Sequence, residues 1–146
     1  MRELRILDAA ALRTEAAYRI YQACMYRPTR EKYDARTDEL LRGRVYGCMR
    51  DGALVGILAL SLPEDGTAEI VGIAVAEDAR GQGIGAWLIA QAARAEGLKR
   101  LMAETDDEAV GFYRRCGFHA TRLERSYDGT AVTRWRCVWD ADAPAR

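Results

Sequence analysis

The stretch Arg80-Gly81-Gln82-Gly83-Ile84-Gly85-Ala86 packs three glycines into five residues. Such a segment turns tightly and lets main chain come close to a ligand. An apolar run, Ile70 to Val75, precedes it, and a helical pattern from Trp87 to Glu96 comes after it. Strand, glycine loop and helix in that order aim free main-chain N–H groups and the positive end of a helix dipole at an anion. Arg80 adds a fixed charge at the mouth of the loop. Together these features predict a site for the phosphates of a cofactor.

The flanking sequence sets the layout around this loop. Leu4-Arg5-Ile6-Leu7 reads as a short first strand. Asp8 can cap a helix with Leu12, Ala16, Ile20 and Ala23 on one apolar face. Pro28 ends that region. Thr29 can cap a second helix with Tyr33, Leu40 and Leu41 inward, and Gly43 is expected to close it. Val45 to Met49 and Leu54 to Leu62 form a hairpin about Asp51-Gly52, the second strand apolar enough for burial on both faces. Glu64-Asp65-Gly66 turns into a strand from Ala68 to Val75.

After the loop and its helix, which Gly97 ends, Leu101-Met102-Ala103 is a strand. Strand, helix, strand is a right-handed crossover, so these two strands should run parallel. A helix starting at Asp106 or Asp107 carries Ala109, Val110, Phe112, Tyr113 and Cys116 and stops at Gly117. His119 to Tyr127 and Thr130 to Trp139 form a last hairpin about Asp128-Gly129, with Trp135, Cys137 and Trp139 alternating against Arg134, Arg136 and Val138. The expected fold class is α+β, a mixed and mostly antiparallel sheet with one parallel crossover and helices on both faces. Residues 1–140 read as a single domain and 141–146 as a flexible tail.

Composition removes several classes of function. Lys plus Arg equals Asp plus Glu at 22 each, so no charge bias points to nucleic acid or an anionic membrane. No apolar run approaches the roughly 18 residues of a membrane span, and Met1-Arg2-Glu3-Leu4-Arg5 lacks a signal-peptide core. A cytoplasmic protein is expected. Cys24, Cys48, Cys116 and Cys137 contain no CxxC pair, so reduced thiols and no metal site are expected.

Three glycine-loop chemistries compete. A nucleotide-triphosphate loop needs Lys-Ser or Lys-Thr after the glycines, and none is present. The dinucleotide fingerprint G-x-G-x-x-G/A is formally matched by residues 81–86, with Glu104 or Asp106 about 20 residues on where a ribose would want an acid. Its context differs, because Ala76-Glu77-Asp78-Ala79-Arg80 separates strand from loop and the upstream strands are hairpins. An NAD(P)-binding oxidoreductase is therefore a lesser alternative.

The third chemistry fits both the loop and the sequence downstream of it. Ile73-Ala74-Val75, four residues, then Arg80-Gly81-Gln82-Gly83-Ile84-Gly85 resembles the acetyl-coenzyme A signature R/Q-x-x-G-x-G/A of the GNAT superfamily of N-acetyltransferases. Ala109-Val110-Gly111-Phe112-Tyr113-Arg114-Arg115-Cys116-Gly117-Phe118 is similar to that family's second motif, a helix ending in Y-x-x-x-G-F. The resemblance implies acetyl-CoA as co-substrate and an amine as acceptor. It places the diphosphate on the segment Gly81, Gln82, Gly83, Ile84, Gly85 and Ala86 beside Arg80. It pairs the pantetheine arm with the strand at Ile73, Ala74 and Val75. Asp106 stands where the family often has an Asn that contacts the arm; an ionised Asp accepts but cannot donate, and here it can cap the helix instead.

The resemblance also implies roles in catalysis. Tyr113 matches the tyrosine that serves the departing thiolate. A phenol, at a pKa of about 10, is a weaker acid than a thiol at about 8.5, so a hydrogen bond is expected rather than full proton transfer. Glu69 matches a glutamate that acts as base in some members, and burial there would suit it to the task. His119 and Cys116 read as structural. For the acceptor groove the candidates are Tyr21, Met25, Tyr26, Tyr33 and Tyr127. A non-catalytic acyl-CoA sensor on the same fold is the main alternative, and a homodimer through the strand Trp135–Trp139 is a further expectation.

Overall fold

A computed structural model describes residues 1–142. One sheet of seven strands comprises β1 (Arg2–Ile6), β2 (Arg44–Arg50), β3 (Ala53–Leu60), β4 (Thr67–Val75), β5 (Arg100–Thr105), β6 (His119–Tyr127) and β7 (Thr130–Asp140), in the order β1-β2-β3-β4-β5-β7-β6. The helices are α1 (Ala9–Leu12), α2 (Glu15–Tyr21), α3 (Arg30–Leu40), α4 (Ile84–Glu96) and α5 (Val110–Arg115). Only β4 and β5 run parallel, joined through α4, and every other neighbouring pair is antiparallel.

The hairpins arise from their turn residues. Asp51 and Gly52 have φ 51 and 84, and Asp128 and Gly129 have φ 50 and 79. Two successive left-handed residues make the turn whose twist matches the flanking strands. β3 is buried from Val55 to Leu60. Its Ile57 and Ala59 join a cluster with Leu12, Ile20, Tyr21, Tyr33 and Leu40 of the first three helices. Its Leu58 and Leu60 join a second cluster with Ile84, Leu88, Ile89 and Ala92 of α4 and Val110 and Tyr113 of α5. Each fully buried aliphatic side chain contributes about 1.5–3 kcal/mol, which makes β3 the spine of both layers.

The first helical region departs from its expected single helix. The Asp8 carboxylate accepts the Ala11 N–H at 2.9 Å, the helix stops at Leu12, and Thr14 starts a new one by accepting the Ala17 N–H at 3.2 Å. The restart rotates the apolar face, so Ala17, Ile20 and Tyr21 are buried while Ala16 and Ala23 are exposed. Gly43 does not close α3, whose C-terminal cap is Leu41 in right-handed geometry. Gly43 is needed for another reason: a Cβ there would lie 2.0 Å from the Leu60 carbonyl oxygen of β3.

β7 occupies an interior position, hydrogen-bonded to β5 on one side and β6 on the other. The strand Trp135–Trp139 therefore has no free edge for strand pairing with a second copy. The expected tail lies, from residue 143 on, outside the described residues. Among the described residues no helix is long and apolar enough to cross a membrane.

Candidate active site

The parallel strands stay together for only three residues. Thr67 faces Arg100, Ala68 faces Leu101 and Glu69 faces Met102, after which they part. β4 remains bound to β3 as far as Val75. The Ala76 N–H donates to the Val55 carbonyl at 2.8 Å. Alternation along an antiparallel ladder then turns the main-chain groups of Ala74 toward β3 and those of Ile73 and Val75 toward the gap. The gap is a cleft of about 1210 Å³, lined by Ile70 to Val75, the glycine loop, the start of α5 and the Ala23–Met25 turn.

The glycines of the loop serve two purposes. Gly81 and Gly83 have φ 75 and 77, and a Cβ at either would meet nothing within 4 Å, so the loop presents open main chain. Gly83 caps α4 without any side-chain bond, leaving the first-turn N–H groups of a 13-residue helix with no acceptor from a cap. Gly85 is buried, and its Cβ would stand 3.1 Å from the Phe112 ring of α5. This is a cradle that side chains would fill, and it fits a diphosphate group. Arg80 donates from Nε to the Val75 carbonyl at 3.2 Å, which lays its guanidinium along the end of β4. Gln82 does not line the cleft; its side chain and carbonyl oxygen turn toward Arg2 and Arg50.

Tyr113 lies opposite, 6% exposed, between Phe112 and Phe118 with ring centroids 5.2 and 5.3 Å away. Burial raises its pKa well above the ordinary phenol value, so the group stays protonated and keeps its donor. Its hydroxyl has no hydrogen-bond partner among the described residues, and no fully buried side-chain oxygen or nitrogen is left unpaired. The hydroxyl therefore opens on the cleft that Tyr113 lines. Asp106 borders the same cleft, and its carboxylate accepts the Ala109 N–H at 2.9 Å in the turn before α5; the helix itself starts later than expected, with Ala109 as its N-cap and no side-chain bond there.

Other predicted residues fall elsewhere. Glu69 is exposed and does not line the cleft, so the burial expected of a base is absent. Of the acceptor-groove candidates, only Met25 lines it. Tyr33 is buried, donating to the Leu12 carbonyl at 2.5 Å, Tyr21 is buried beneath β4, Tyr26 is 81% exposed in the loop before α3, and Tyr127 is 52% exposed at the end of β6. His119 opens β6 away from the cleft, while Cys116 lies half-buried at its edge.

Two further groups line the cleft, neither of which the sequence assigned to an acetyl-CoA site. Cys24 ends a 3-10 turn after α2, and its thiol donates to the Tyr21 carbonyl at 3.2 Å. Burial of the sulfur against protein raises its pKa, partly offset by hydrogen bonds from Tyr21 and the Ile73 main chain. Glu104 on β5 holds Arg125 at 2.6 Å and Arg134 of β7 at 3.3 Å. The Arg125 hydrogen bond, helped by Arg134, lowers the Glu104 pKa. Strand alternation puts Glu104 on the face of Met102, but the turn at Cys24 carries no periodic signal.

The profile of the acetyltransferase (GNAT) family matches residues 14–118. No curated protein sequence matches the chain. Solved structures similar in fold include the ribosomal-protein-S18-alanine N-acetyltransferase of Escherichia coli, at TM-score 0.73 and 18% identity over 99% of this chain and 97% of that one. A Bacillus subtilis acetyltransferase in complex with CoA gives 0.72 and 19% over 96% and 99%. An Elizabethkingia anophelis GNAT family acetyltransferase with acetyl-CoA bound gives 0.69 and 22% over 95% and 97%.

Proposed function

The chain belongs to the acetyltransferase (GNAT) family, and from that premise we propose that it transfers an acetyl group from acetyl-CoA to a primary amine by direct attack on the thioester. The observation that carries this reading is the Tyr113 hydroxyl, free of protein partners among the described residues, opening on the same cleft as the edge of β4 at Ile73 and Val75 that β5 leaves uncovered. Structures of similar fold hold CoA or acetyl-CoA, which supports the same cofactor here.

Acetyl-CoA supplies the acyl group already activated as a thioester. Main-chain N–H groups between Gly81 and Ala86 hold the diphosphate, with Arg80 adjacent. Ile73 and Val75 offer main-chain groups to the pantetheine arm as an added strand would; Ala74 cannot, because its own are turned to β3. The Val75 N–H stabilises the developing oxyanion. Tyr113 donates a hydrogen bond to the departing thiolate. Its raised pKa makes outright proton transfer still more uphill than for an ordinary phenol. Glu69, at the fork of the strands, takes the amine proton through solvent, since its exposure leaves no dry contact.

The test is release of free thiol from acetyl-CoA by the purified protein with a panel of primary amines, including an alanine-ended peptide, beside calorimetric titration with CoA. Amine-dependent thiol release is expected. CoA binding with no release from any amine would leave a non-catalytic acyl-CoA binder, and no CoA binding would end the reading.

A further inference from the structure

Gln82 sits at the centre of the glycine loop yet turns its side chain out of the cleft. It is the point where two arginines from the far edge of the sheet converge. Arg2 of β1 and Arg50 of β2 are directly opposite one another, an arrangement that like charges disfavour. Both end on Gln82: Arg2 Nη2 donates to its main-chain oxygen and Arg50 Nη1 to its Oε1. Gln82 Nε2 in turn donates to the Asp78 carbonyl at 3.4 Å. The Arg2 guanidinium also lies 6.0 Å from the ring centroid of Trp87, in the first turn of α4.

We propose that Arg2, Arg50 and Gln82 are positioning residues that brace the glycine loop in its anion-binding shape. This rests on the proposed function, in which the loop is the diphosphate site. A trans peptide is rigid and its N–H points opposite to its C=O. Holding the Gln82 oxygen outward therefore holds the Gly83 N–H inward, toward the cleft. Gly83 itself supplies no such restraint, since at φ 77 it is a glycine free to leave that conformation. The two guanidinia also place positive charge behind the loop, on the side away from the ligand. A loop set before the ligand arrives loses less conformational freedom on binding.

The experiment is calorimetric titration of CoA into wild type and the variants R2Q, R50Q, Q82A, R50Q/Q82A and R2Q/Q82A. Turnover is measured in parallel with acetyl-CoA and with S-acetyl-pantetheine, a donor without the diphosphate. Each single variant is expected to raise the CoA Kd and the acetyl-CoA KM about fivefold, with kcat kept. The penalty should disappear with S-acetyl-pantetheine. R50Q and Q82A remove one shared bond, so their double variant should be no weaker than either single; R2Q bonds main chain and should add to Q82A. Because Q82A changes no charge, its effect separates bracing from long-range attraction. Wild-type CoA affinity in R50Q and Q82A, or an equal loss with both donors, would overturn the brace. Failure of the wild type to bind CoA would instead overturn the functional reading, and the brace with it.

Discussion

The Phe118 N–H donates to the Tyr113 carbonyl at 3.0 Å, and the two rings meet edge-on with planes 69° apart. Gly117 between them has φ 91. This is a helix end of the Schellman type, in which the residue beyond the glycine bonds back to the last turn and packs on it. The sequence Y-x-x-x-G-F is thus a mechanical unit. Glycine lets α5 stop, and the phenylalanine clamps the tyrosine ring whose hydroxyl faces the cleft.

Because the ring is held by packing on both sides, Tyr113→Phe should keep the fold and remove only the hydroxyl. We expect kcat for amine acetylation to fall about 10²-fold, with the calorimetric Kd for CoA little changed. Wild-type kcat would remove Tyr113 from the mechanism.

Gly83→Ala meets no neighbour within 4 Å but must hold φ 77. The strain should cost about 1–2 kcal/mol, visible as a lower Tm. CoA affinity should fall with it, because relief of the strain rotates the N–H groups out of line. A thermal melt and a titration on the same sample check both.

Cys24 should be the cleft thiol that reagents find. Cys48 and Cys137 are 0% exposed and should label only on unfolding. Since burial raises the Cys24 pKa above 9.0, its rate with iodoacetamide should be slow near neutrality and still be climbing above pH 9.0. Acetyl-CoA should protect it, as peptide mass spectrometry would show. Labelling unaffected by saturating acetyl-CoA would place the pantetheine arm elsewhere.

Glu104 carries an acid-linked share of stability. Its folded pKa lies below the ordinary value of 4.5, so its ion pairs contribute fully above that value. The contribution is lost as pH falls through the lower folded value. Solvent exposure of all three side chains keeps it small. Glu104→Gln should therefore lower Tm at pH 7, and its deficit against wild type should shrink as pH drops below 4.5. A deficit independent of pH would mean that the charge does not matter there.

Much of this molecule is written in local chemistry. The hairpin turns at Asp51-Gly52 and Asp128-Gly129, the caps at Asp8 and Thr29, the glycine loop and the Y-x-x-x-G-F helix end each depend on the conformational range of one or two residues. That range travels with the residue type, so the order of elements and the parallel crossover are legible from the chain alone. Where strands part and which strand lies inside the sheet depend on contacts between residues far apart in sequence. No period encodes the fork after Glu69 and Met102, the insertion of β7 between β5 and β6, the exposure of Glu69, or the arrival of Cys24 and Arg134 at the cleft. Gln82 shows the boundary most sharply. Its place in the loop is a matter of spacing, but its outward turn was decided only when β1 and β2 brought two arginines to meet it.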